Sequence, residues 1–81
     1  MPAYSVETKL SPEEAIEQAR AYFGEGGLGL DAKDEGPCCT AFEGGGGFVR
    51  VTADAGDKRT TIHLETREWD YHVKRFMREI G

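Results

Sequence analysis

The sequence predicts an α+β fold: an antiparallel β meander of four to five strands with two helices packed on one face, in the order β-α-β-β-β-β-α. Three observations carry this. Two segments place apolar residues at helical spacing. Several others alternate apolar and polar residues with a period of two. The links between the later alternating segments are short and rich in Gly, Pro and Asp, so neighbouring strands must run antiparallel, because parallel neighbours need long crossovers. Two helices on one face of such a sheet give a two-layer sandwich.

The elements follow in order. Tyr4, Val6, Thr8 and Leu10 alternate with Ser5, Glu7 and Lys9, which predicts a half-buried strand over 4–10. Ser11 then opens a helix. Pro12 suits the first helical position, and Glu14 completes the S-x-x-E capping box. Leu10 can staple onto Ala15, and Glu13 and Glu14 suit the positive end of the helix dipole. Ile16, Ala19, Tyr22 and Phe23 form the apolar stripe, with Ala15 at its border, and Gly24 is a natural stop.

After a flexible Gly24–Gly27 connection, Leu28, Leu30 and Ala32 alternate, which predicts a second strand over 28–32. Asp34-Glu35-Gly36-Pro37 reads as a turn. Cys38–Glu43 is a third strand, Gly44–Gly47 a four-glycine hairpin loop and Phe48–Ala53 a fourth strand. In the fourth, Val49, Val51 and Ala53 face one way and Phe48, Arg50 and Thr52 the other. A turn at Ala55–Lys58 leads to a fifth strand over Arg59–Thr66, with Ile62 and Leu64 opposite Thr61, His63 and Glu65. The second helix is expected from Arg67 to Ile80 with Thr66 as its cap. Its stripe is Trp69, Val73, Phe76, Met77 and Ile80. The order of elements is similar to a shortened helix-grip arrangement, in which a curved sheet wraps a long C-terminal helix; the similarity is of element order, with no motif behind it.

At 81 residues the chain has the length of one domain, 1–81, and its aromatic residues suffice for one core. The net charge of −5 is uneven. Residues 1–47 hold nine acids against three bases, and residues 48–81 six against seven. An acidic chain without a basic stripe is a poor ligand for nucleic acid, where phosphate neutralisation supplies much of the affinity. The same argument disfavours an anionic membrane surface. No stretch approaches the ~18 apolar residues of a membrane span. The start of the chain lacks the pattern of a signal peptide, and adjacent cysteines are not a secreted disulfide framework, so a reducing cytoplasm is expected.

The candidate chemistry is sparse. Cys38 and Cys39 are adjacent, and strand alternation would send one to the core and one to the open face. A bond between neighbours would need a strained turn. As thiols they could respond to oxidation or bind a soft metal, with only His63 and His72 to add as further ligands. Neither C-x-x-C nor H-x-x-x-H spacing is present, and the plainer reading is one small core residue beside an incidental thiol. Gly44–Gly47 lacks the Lys-Ser/Thr and the helix that a phosphate loop requires. His63 with Glu65 and Arg50 reads first as a solvated sheet face. Trp69, Tyr71 and Tyr22 could line a pocket mouth, although Trp69 reads first as the anchor of the second helix.

No catalytic residue, cofactor or metal site is assigned. The function expected is non-catalytic binding of a small apolar ligand between sheet and C-terminal helix, lined by Trp69, Val73, Phe76, Phe42, Val51 and Leu64. One alternative is a structural role through homodimerisation, which suits a small chain. Another is thiol-based redox or metal chemistry at Cys38–Cys39.

Overall fold

The structure, a computed structural model, describes residues 3–34 and 38–81. Its elements are β1 (Ala3–Thr8), α1 (Pro12–Phe23), β2 (Asp31–Asp34), β3 (Cys39–Gly44), β4 (Gly47–Ala55), β5 (Thr60–Arg67) and α2 (Asp70–Ile80). The five strands form one antiparallel sheet in the order β1-β5-β4-β3-β2. β2 to β5 are the meander. β1 joins the far side of β5, so α1 carries the chain from one sheet edge to the other. This is the expected α+β arrangement, with the sequence order β-α-β-β-β-β-α.

Both helices cover one sheet face, α1 chiefly over β4 and α2 over β5. That face carries Val49, Val51, Ala53, Ile62, Leu64 and Phe42, all buried, as the alternation requires. Ala15, Ile16, Ala19 and Phe23 answer from α1, and Val73 and Phe76 from α2. Phe23 is the hub. Its ring lies 5.6 Å from Phe42 and 5.2 Å from Phe76, so one side chain joins both helices to the sheet. Buried threonines at the margins are hydrogen-bonded: Thr8 donates to the Ile80 carbonyl, and Thr66 to that of Phe48.

α1 begins as the sequence requires. The Glu14 N–H donates to Ser11 Oγ at 3.1 Å, and the Ser11 N–H donates to Glu14 Oε1 at 3.0 Å. Three expectations are corrected. The second strand is displaced from 28–32 to Asp31–Asp34. The Leu28 and Leu30 amides instead donate to the Tyr22 and Phe23 carbonyls at the end of α1. Those carbonyls have no partner within the helix, and the chain folds back to supply one. The alternation of Leu28 and Leu30 reflects packing on the core rather than a ladder. The first strand likewise ends at Thr8.

The second correction is at β5, which runs on to Arg67. Thr66 is a buried strand residue and no cap. α2 starts at Asp70 after Trp69, which makes no side-chain cap bond. Glu68 makes the turn between them at φ 74°, a left-handed conformation that costs a side chain with a Cβ about 1–2 kcal/mol. The third is the glycine run. Only Gly45 and Gly46 form the loop, since Gly44 and Gly47 pair across the hairpin. Both loop residues have positive φ, 59° and 80°, as tight hairpin turns demand. Of the turn expected over 34–37, Asp34 belongs to β2 and the rest lies outside the described residues.

Candidate functional site

The opposite sheet face is open, and strand register arranges it in rows. One row is Cys39, Thr52, His63 and Ser5. The next is Lys33, Ala41, Arg50, Glu65 and Ala3, and the third is Asp31, Glu43, Phe48 and Arg67. Most of these side chains are exposed. Ala41 is buried, and Cys39, Thr52 and Phe48 are half-buried.

Cys38 and Cys39 share a disulfide. The expectation of one core cysteine and one incidental thiol is therefore replaced. Cys38 is exposed and Cys39 half-buried, and neither belongs to the core. Cys38 precedes β3 as a turn residue, which frees it from strand alternation and lets its sulfur reach its neighbour's. The Ala53 N–H donates to the Cys38 carbonyl at 2.8 Å, so the ring is fastened to β4 from behind.

His63 is not brought to the sulfurs. Thr52 stands between it and Cys39 in the row. The His63 Nε2 lies 3.0 Å from Asp54 Oδ2, on the solvent side. Among the described residues, no three His, Cys, Asp or Glu side chains gather as a metal-binding group.

The six residues named for an apolar pocket do come together, but against one another. Val73, Phe76, Phe42, Val51 and Leu64 are at most 1% exposed, and Trp69 packs at their edge. Among the described residues, four surface hollows are lined by none of the six. Trp69 anchors the start of α2 by donating its indole N–H to the Gly44 carbonyl at 3.0 Å. A side chain at Gly45 would strike that indole, its Cβ falling 2.8 Å from the ring. Tyr22, Trp69 and Tyr71 do surround something, namely the ring of His72, at 6.4, 5.7 and 5.3 Å.

A hollow of about 360 Å³ opens on the free sheet face. Ala41 and Phe48 supply its apolar surface, and Glu43, Arg50 and Arg67 its charge. Glu43 is held by Lys33 Nζ at 3.0 Å, and this hydrogen bond raises the lysine pKa. Among the described residues, the Arg67 guanidinium engages no carboxylate. The sequence reading missed this hollow because it placed Arg67 in a helix. The signal available was the period-two pattern, which continues from Ile62 through Leu64 and Thr66 and so points Arg67 to the open face.

Compared with protein-family models, curated proteins and solved structures, the chain finds no match. Among the described residues no helix is long and apolar enough to cross a membrane.

Proposed function

We propose that this is a small non-catalytic domain that undergoes reversible thiol–disulfide exchange at Cys38–Cys39. The observation that carries the reading is the bond between adjacent residues at an accessible position. A structural disulfide stabilises mainly by closing a long loop in the unfolded chain, and the effect grows with loop length. Adjacent cysteines close the shortest loop there is. Such a bond adds little to stability, which favours a chemical role for it.

The chemistry is ordinary exchange. A thiolate of the partner attacks the sulfur of Cys38, the more exposed residue of the pair. The Cys38–Cys39 bond breaks, Cys39 leaves with the electron pair and takes up a proton, and a mixed disulfide remains. A second partner thiolate attacks the partner's sulfur in that mixed disulfide. Cys38 then leaves as a thiolate and is protonated. Overall, two partner thiols become one disulfide, and Cys38 and Cys39 become two thiols. The reverse direction consumes a partner disulfide. The filled core supports this reading over an apolar ligand held between sheet and helix, because such a ligand would have to displace packed side chains.

The test is a redox titration of the whole chain in dithiothreitol buffers, with free thiols trapped by a maleimide and weighed by mass spectrometry. Both cysteines should pass from blocked to labelled together, in one reversible transition. Labelling of both across all oxidising buffers would refute the reading, and so would a bond that resists every reducing buffer.

A further inference from the structure

We infer that the exchange partner is an acidic peptide thiol: an extended segment with its cysteine at Cys38–Cys39 and a carboxylate about four residues away on Arg67. This rests on the exchange reading above and names its partner class. The argument begins with register. Cys39, Ala41 and Glu43 point to the open face from one strand, so the disulfide and the hollow share a surface. Arg67 is reached from Glu43 by crossing Phe48 on the adjoining strand. Strand geometry puts the Cys39 and Arg67 α-carbons roughly 16 Å apart, two strands over and four residues along. An extended peptide advances about 3.3 Å per residue, so four residues and two side chains span that distance.

Charge selects what lies at the far end. Lys33 answers Glu43, and Arg50 has a partner of its own. That leaves Arg67 as the cation at the hollow without a carboxylate among the described residues. Its planar fork suits a carboxylate. Between the two ends the line passes Arg50, with Ala41 and the half-buried Phe48 on either side as apolar surface for small side chains. A basic peptide would meet an occupied acid at Glu43 and repulsion at Arg67.

The test uses the oxidised full chain and two synthetic peptides, acetyl-Cys-Ala-Ala-Ala-Asp-amide and its Asn counterpart. The acid sits far enough from the sulfur to leave the two thiols alike in reactivity. Mixed-disulfide formation is followed by mass spectrometry at low salt, where exposed charges act at their longest range. The acidic peptide should react about twofold to fivefold faster, the range expected of one exposed ion pair. Arg67→Gln should remove the difference, and Arg67→Lys should keep part of it. Equal rates on the unmodified chain, or a preference that survives R67Q, would overturn this inference and leave the exchange reading standing. If neither peptide opens the bond, both fall.

Discussion

The two helices begin in opposite ways. α1 is started by its own residues: Ser11 and Glu14 satisfy each other's backbone, Pro12 presets the first turn, and no distant contact is required. α2 has no side-chain cap. Its start is held by three contacts from elsewhere. Trp69 donates to Gly44 across the hairpin, Tyr4 donates to Asp70 Oδ2 at 2.8 Å from the edge strand, and Gly47 lies so close to Arg67 and Glu68 that no side chain fits there. The difference teaches that a helix terminus can be specified locally, through hydrogen bonds within four residues, or globally, by being wedged into a finished sheet. The second kind can tolerate a left-handed Glu68, because the surrounding contacts outweigh the strain.

The comparison can be broken most forcefully at Trp69. Trp69→Ala removes the ring that packs at the core edge and leaves the Gly44 carbonyl without its donor. A loss of about 3 kcal/mol is expected, at the low end for a large aromatic because the indole is only half-buried. Urea midpoints give the number, and a change below about 1 kcal/mol would mean that α2 starts itself after all. Ser11→Ala should cost less, about 1 kcal/mol, as for other N-caps. Its effect should stay within α1, so amide exchange should quicken around 13–15 and remain unchanged in α2.

The smallest effect separates the two starts by pH. The Ser11 backbone N–H, and then its side chain, hold the Glu14 carboxyl below its usual pKa. A lowered pKa contributes stability that is present above the ordinary carboxylate value and lost as pH falls through the lowered one. Tyr4 is the mirror case. Its hydrogen bond to Asp70, and then burial, raise its pKa. That contribution is present below the ordinary phenol value and lost as pH rises through the raised one. The start of α1 should therefore weaken in acid and the Tyr4 tie to α2 in alkali. Glu14→Gln should flatten the acid limb of a midpoint-against-pH curve, and Tyr4→Phe the alkaline limb. If either substitution flattened both limbs, the two starts would not be independent.

The candidate site was legible only in part. Alternation from Phe48 to Ala53 and from Arg59 to Thr66 correctly sorted Val49, Val51, Ile62 and Leu64 from Arg50, Thr52 and His63, because side-chain direction in a strand is a local property. The Cys38–Cys39 bond escaped the same rule. Cys38 lies just before the strand, where the alternation does not apply. Arg67 was misplaced for a related reason. Thr66 followed by charged residues has the pattern of a helix start, which competes with the period-two pattern, and the pairing of Arg67 with Phe48 decides for the strand.

By itself, the sequence determined the kind and order of the elements, the box at Ser11 and Glu14, a glycine hairpin between the third and fourth strands and the faces of β4 and β5. All of these depend on backbone preferences and hydrogen bonds between near neighbours. Tertiary structure alone decided where β2 begins, since the Leu28 and Leu30 amides had to find the carbonyls at the end of α1. It also decided that α2 starts at Asp70, because Trp69 had to reach Gly44. And it decided that the aromatic residues of the core fill their own space. Whether Phe23, Phe42 and Phe76 enclose a cavity or close it depends on how far apart sheet and helices settle, and that distance is written in no single segment of the chain.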